Sequence, residues 1–213
     1  MVKKITEVLD QYVADLFAQE DEALQWIQAE ADRHDLPAIS IRADEGRLLQ
    51  TLMLAIGAKK AIEIGALAGY SGVWMARALP ADGHLYSVEK SSKHAKIVRA
   101  SFEKAGVAHK ADVMEGSAMD MLRKLEGKAP FDFIFIDADK AAYKDYLAWS
   151  IEHLRVGGMV TAHNAFREGR IVNLQSDEDR AMDAFNRSLA NNPRLESTII
   201  GVGDGLAVGI KKG

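Results

Sequence analysis

The chain has 213 residues, a formal charge of −4, 48% hydrophobic and 27% charged residues, and no cysteine. A chain of this length can bury about 70% of its unfolded surface, which suits one well-formed core and a single domain over residues 1–213. The missing cysteines exclude disulfides, Cys-ligated zinc, iron–sulfur clusters and thiol nucleophiles. The mild acidity argues against nucleic acid as a partner, and no apolar run reaches the length of a membrane span, so a cytoplasmic location is expected.

Val2, Ile5, Val8, Leu9, Tyr12, Val13, Leu16 and Phe17 recur at helical spacing and predict an amphipathic helix over 2–17. A second helix is expected over Asp21–Arg33, and a third after a loop, capped by Asp44 and ended by Gly57. The texture then changes. Apolar runs at Lys60–Ile64, His84–Val88, Ala111–Met114, Phe131–Ile136 and Met159–Ala162 alternate with helical patterns at Gly72–Leu79, Ser92–Lys104, Ser117–Leu125 and Ala141–Leu154. Short apolar strands bracketed by helices predict a parallel sheet covered on both faces. A last helix over Asp177–Ala190, with Asp177 as cap, precedes two strands, Glu196–Ile200 and Leu206–Lys211, that suggest an antiparallel hairpin. The expected architecture is a doubly wound, Rossmann-like α/β domain, with a helical cap over 1–43 ahead of a core over 44–213.

In such sheets ligands bind beyond the carboxyl ends of the strands. The first end reads EIGALAGYS, 63–71: Gly65 and Gly69 permit a tight turn, and Tyr70 and Ser71 open a helix. The spacing is not G-x-G-x-x-G, which disfavours a nicotinamide oxidoreductase, and the acidic Glu63 suits a ligand with a positive charge. The glycines also have a plain reading as turn residues. Glu89, at the second strand end, is placed to take ribose hydroxyls. Gly116 and Ser117 follow the third strand, where an adenine edge would be read; for Ser117 a helix-capping role is an equal alternative.

Three segments in order, EIGALAGYS, FIDADKAAYKDYL (135–147) and VGDGL (202–206), resemble the class I S-adenosylmethionine-dependent O-methyltransferases of the catechol and caffeoyl-CoA type. The resemblance runs from the loop near Ile39–Gly46 to the end of the second terminal strand. It implies a seven-stranded, mostly parallel sheet with an antiparallel last strand, a phenolic small-molecule acceptor and a homodimer. It also assigns roles. Glu63, Gly65, Tyr70 and Ser71 would contact the methionine end of S-adenosylmethionine, Glu89 the ribose, and Gly116 and Ser117 the adenine. Ile41 would reach over the cofactor. Asp137 would lie near the methyl donor and bind a divalent metal, and Lys140 would act as general base on the acceptor hydroxyl.

The fifth strand end departs from the pattern. The family places Asp-Asn there, both on the metal, whereas this chain has His163-Asn164. Mg²⁺ prefers oxygen and binds imidazole poorly; Mn²⁺, Fe²⁺, Co²⁺, Ni²⁺ or Zn²⁺ tolerates it. The residues leave three readings, in this order: an enzyme using a softer ion held by Asp137, His163 and Asn164; a metal-independent methyltransferase with His163 in a catalytic role on another acceptor; and a non-catalytic S-adenosylmethionine-binding protein.

Overall fold

The computed structural model describes residues 2–213, with side chains from Val8 onward. Its centre is a seven-stranded sheet in the order β3-β2-β1-β4-β5-β7-β6. The strands are β1 (Lys60–Ile64), β2 (His84–Glu89), β3 (Ala111–Glu115), β4 (Phe131–Ile136), β5 (Leu154–Ala162), β6 (Leu195–Ile200) and β7 (Leu206–Lys211). The first five pair in parallel, and β7 lies antiparallel between β5 and β6. This is the expected fold with its antiparallel last strand.

The two-residue alternation along each strand sorts side chains onto two faces. Ala61, Phe133 and Phe135 pack on one side against α2 (Glu22–Arg33), α3 (Ala43–Ala55), α4 (Tyr70–Ala78) and α5 (Ser92–Lys104), through Leu24, Ile27, Leu49, Trp74 and Phe102. Ile62, Ile64, Ile134 and Ile136 pack on the other against α6 (Ala118–Leu125), α7 (Tyr143–His153) and α8 (Asp177–Ala190), through Leu122, Tyr143, Leu147 and Phe185. Each such buried side chain contributes roughly 1.5–3 kcal/mol relative to exposure. Helix α1 (Val2–Phe17) stands apart from this pattern: Val8, Leu9, Tyr12, Leu16 and Phe17 are exposed. The apolar positions Val2 and Ile5 fall outside the described side chains.

Several boundaries differ from expectation for local reasons. Asp44 is not the cap of α3: Arg42 holds that position, and the Glu45 carboxylate accepts the Arg42 backbone N–H at 2.8 Å. Likewise Ser176, not Asp177, caps α8, where it closes a reciprocal box with Asp179. Strand β5 begins at Leu154 rather than Met159. A register shift between Phe131 and Phe133, opposite Gly157 with φ +73, absorbs residues that read as a loop. No helix among the described residues is long and apolar enough to cross a membrane.

Candidate active site

The parallel strands end at one level because each residue just beyond a strand donates its N–H to the neighbouring strand. Gly65 N–H reaches Val88 O at 3.0 Å, Gly116 reaches Glu89 O at 3.0 Å, Asp137 reaches Ile64 O at 2.8 Å, and His163 reaches Ile136 O at 3.0 Å. Four of the expected site residues therefore sit side by side along the sheet edge. They line a cavity of about 730 Å³ that also includes Ile41, Tyr70, Ser71, Glu89, Lys140 and Asn164.

The left part of this cavity is built by close backbone approach. Gly65 has φ +95, and a Cβ there would stand 2.1 Å from the Asp137 carbonyl oxygen, so strands β1 and β4 can meet only at a glycine. Glu89 is buried and its Oε2 accepts the N–H groups of Ala66 (3.3 Å) and Leu67 (3.0 Å), while Oε1 accepts that of Ser91 (2.8 Å). This carboxylate thus fixes the glycine loop and keeps lone pairs towards the cavity.

Two expected cofactor contacts do not line the cavity. Glu63 is fully buried beneath it, with its carboxylate accepting the hydroxyls of Ser71 and Ser87. Burial pushes the Glu63 carboxyl up to about 7, against the two hydroxyl donors that favour its charge. It can act on a ligand only through Ser71. Ser117 caps α6: its hydroxyl accepts the Asp120 N–H and donates to the Asp120 carboxylate at 2.6 Å.

The right part is made of side chains. Lys140 is buried, donates to the Tyr143 hydroxyl at 2.5 Å and stands 3.2 Å from Asp137 Oδ1. Burial, with Asp137 nearby, raises Tyr143 well above the usual phenol range, so it stays a neutral partner. Tyr146 donates to Asp139 at 2.9 Å, which ties that carboxylate to α7 rather than to the cavity centre.

His163 lies between two carboxylates. Its Nε2 is 2.8 Å from Glu45 Oε1. Its Nδ1 is 3.3 Å from Asp137 Oδ2 yet has no hydrogen-bond partner, because the carboxylate lies off the ring's donor direction. Burial opposes a charge on the ring, but Asp137 and Glu45 together outweigh it and raise His163 to about 9. For Asp137, burial likewise opposes charge, and His163 and Lys140 hold it below the usual carboxylate range. Asn164 takes φ +61 and donates its amide N–H to Asp204 at 3.2 Å, which leaves its Oδ1 as the free end.

Glu45 was given no role by the sequence. It reaches the strand ends because α3 and α4 pack very closely: a Cβ on Gly46 would stand 2.3 Å from Trp74 Cδ1. The VGDGL segment closes the other side. At Gly203, with φ +52, a Cβ would lie 2.0 Å from Glu45 Oε1, and Asp204 also accepts the Glu168 N–H at 2.5 Å.

The buried, unpartnered Nδ1 is the observation that tests the donor set for a divalent ion. With the ring charged between the Glu45 and Asp137 carboxylates, neither nitrogen offers a lone pair to an ion. Among the described residues no three His, Cys, Asp or Glu side chains gather around one point. The Asp137 carboxylate is already paired with His163 on one oxygen and Lys140 on the other, so these residues do not fit a divalent ion.

Comparison with known proteins agrees with this arrangement. The chain is 38% identical to a catechol O-methyltransferase of Niastella koreensis, covering 100% of both chains. An O-methyltransferase of Streptomyces achromogenes involved in tomaymycin synthesis, solved in complex with SAM, superposes with a TM-score of 0.90 at 32% identity over 97% of this chain and 96% of that one. An O-methyltransferase of Bacillus cereus in complex with SAH gives 0.89 at 33% identity over 96% and 97%. A family model described as O-methyltransferase matches residues 14–212, and with it the glycine loop, the Asp137–Lys140 turn and the VGDGL hairpin find one explanation: the chain belongs to the O-methyltransferase family.

Proposed function

We propose that this protein transfers the methyl group of S-adenosylmethionine to a hydroxyl of a phenolic, catechol-like small molecule. The observation that carries the reading is the single cavity, in which a glycine-built half adjoins Asp137 and Lys140. The relatives solved with SAM and SAH support the cofactor. Bound there, S-adenosylmethionine supplies a methyl carbon on a positively charged sulfur.

The chain's own groups do the rest. Glu89 offers acceptor positions for ribose hydroxyls, and Ser71 passes the influence of Glu63 to the amino-acid end. Ile41 is buried at the cavity wall, on the loop ahead of α3, where it presses on the cofactor. As the neutral amine, Lys140 donates its two N–H bonds to Tyr143 and Asp137, so its lone pair faces the acceptor hydroxyl. As the oxygen–methyl bond forms, the methyl–sulfur bond breaks, its electron pair stays on sulfur, and Lys140 takes the hydroxyl proton. Holding oxygen, carbon and sulfur in line supplies much of the rate gain.

Asp137 and His163, expected with Asn164 to hold a divalent ion, instead pair their charges beside the acceptor position. The exposed apolar face of α1 supports a homodimer, within one domain over 1–213 in which residues 1–43 are the helical cap and 44–213 the cofactor-binding core. A cytoplasmic location accords with a chain free of cysteine. The test is methyl transfer from S-adenosylmethionine to a panel of phenols and catechols. Tight binding of the cofactor with no transfer to any of them would leave only the non-catalytic reading.

A further inference from the structure

We propose that the row of side chains Glu45, His163, Asp137 and Lys140 takes the place of a divalent ion at the reacting end, so that this protein methylates a single phenolic hydroxyl without a metal and has no need of the second hydroxyl that a catechol offers. The inference rests on the proposed methyltransferase reading and deepens it by naming the acceptor class.

Four contacts carry it. His163 is buried and its two ring nitrogens face two carboxylates: Nε2 lies 2.8 Å from Glu45 Oε1, and Nδ1 lies 3.3 Å from Asp137 Oδ2. The other Asp137 oxygen faces Lys140 Nζ at 3.2 Å. The other Glu45 oxygen accepts the Arg42 N–H at 2.8 Å, so this carboxylate cannot turn towards an incoming ion without uncapping α3. Both carboxylates are thus committed to side chains and backbone of the protein itself. An ion entering here would have to displace an imidazole seated between two buried carboxylates, which leaves an uncompensated charge.

The acceptor preference follows from the same geometry. An ion selects a catechol by chelation, because both neighbouring oxygens bind it and the reacting hydroxyl loses its proton more easily. An imidazole with a carboxylate on each nitrogen has no open position for a second oxygen, so this wall does not reward the diol. The one reacting hydroxyl meets Lys140, which takes its proton as the oxygen–methyl bond forms. Glu45 is the positioning residue of the row. Gly46 lets α3 press on Trp74, and Gly203 leaves free the space in which the Glu45 carboxylate reaches His163.

The experiment measures methyl transfer by the full chain to catechols and to the monophenols that lack only one hydroxyl, with and without EDTA. Calorimetric titration of Mg²⁺, Mn²⁺ and Co²⁺ into the SAH-bound protein accompanies it. EDTA should change the rates less than about 2-fold, each catechol and its better monophenol should agree in kcat/KM within ~10-fold, and no ion should bind tighter than ~1 mM. His163→Asp gathers unpaired carboxylates at one point and should bind Mg²⁺ at least ~10-fold tighter than the wild type. Glu45→Gln should lower kcat about 10-fold with SAH affinity held within about 3-fold, and Glu45→Asp should recover part of the loss. SAH binding and thermal melting show that each variant has folded. Loss of turnover in EDTA that an added ion restores, binding of any of the three ions to the wild type tighter than ~1 mM, or a catechol preference beyond ~10-fold would each overturn the assignment. Unchanged kcat in Glu45→Gln would remove Glu45 from it. Absence of transfer to every phenol, with or without ions, would count against the proposed function, while the ion titrations of wild type and His163→Asp would still decide whether this site excludes a metal.

Discussion

The two halves of the cavity are built by opposite means. The half with Gly65, Ser71, Glu89 and Gly116 is made by consecutive residues of strand–turn–helix units, and its shape depends on missing side chains and on backbone N–H groups gathered by one carboxylate. The half with Glu45, Asp137, Lys140 and His163 is made by charged side chains from three separate segments that neutralise one another. A ligand common to a whole family needs a fixed backbone cradle, whereas the reacting end can change its chemistry by one substitution without disturbing the fold. His163 stands in that half, paired with Glu45 on one side and Asp137 on the other.

The sharpest test of that division is Lys140→Ala, which should lower kcat by ~10²–10⁴ while SAH affinity measured by calorimetry stays unchanged. A comparable loss in SAH affinity would mean that the halves are not separable. Next comes pH. Burial raises the Glu63 carboxyl from 4.5 to about 7, so the folded chain binds this proton more tightly than the unfolded one. Its stabilising contribution is complete below pH 4.5 and is lost as pH rises through 7, by at most ~3 kcal/mol. Urea denaturation of wild type and Glu63→Gln across that range should show the slope in the first and a flatter profile in the second.

On the cofactor side, Glu89→Ala removes an ionised acceptor and should weaken S-adenosylmethionine by roughly 1.5–3 kcal/mol, with the acceptor KM little changed. A rise in acceptor KM without loss of cofactor affinity would reverse its assignment. The smallest effect should come from Gly46→Ala. Its methyl would press on Trp74 and destabilise the chain by ~1–3 kcal/mol, and it should reduce turnover more than SAH binding because Glu45 shifts with the helix.

The same contrast explains what could be read in advance. The parallel strands, the glycine loop, Glu89 and the Asp137–Lys140 turn are local patterns, and β1, β4 and β7 fall at the expected residues. Asp44 and Asp177 were expected as caps from residue type, yet Arg42 and Ser176 hold those positions: the Asp44 carboxylate is taken by the Arg42 guanidinium, and the Ser176 hydroxyl accepts the Asp179 N–H. Glu63 is buried under the loop while the exposed Ser117 turns onto its own helix, and residue type does not tell which way a side chain faces. Glu45 could not be found by spacing at all, since its partner His163 lies 118 residues away in the chain.

The hairpin turn at 202–206 has a practical side. Surface turns between strands are where peptides, tags and labels are commonly grafted, since they tolerate added length. Here that turn is a wall of the reacting end: Gly203 abuts Glu45, Gly205 abuts Phe166, and Asp204 holds Asn164 and Glu168. A graft in this turn would be an active-site alteration, and the exposed Gly127 stretch after α6, where an added Cβ meets nothing, is the better place to decorate the protein.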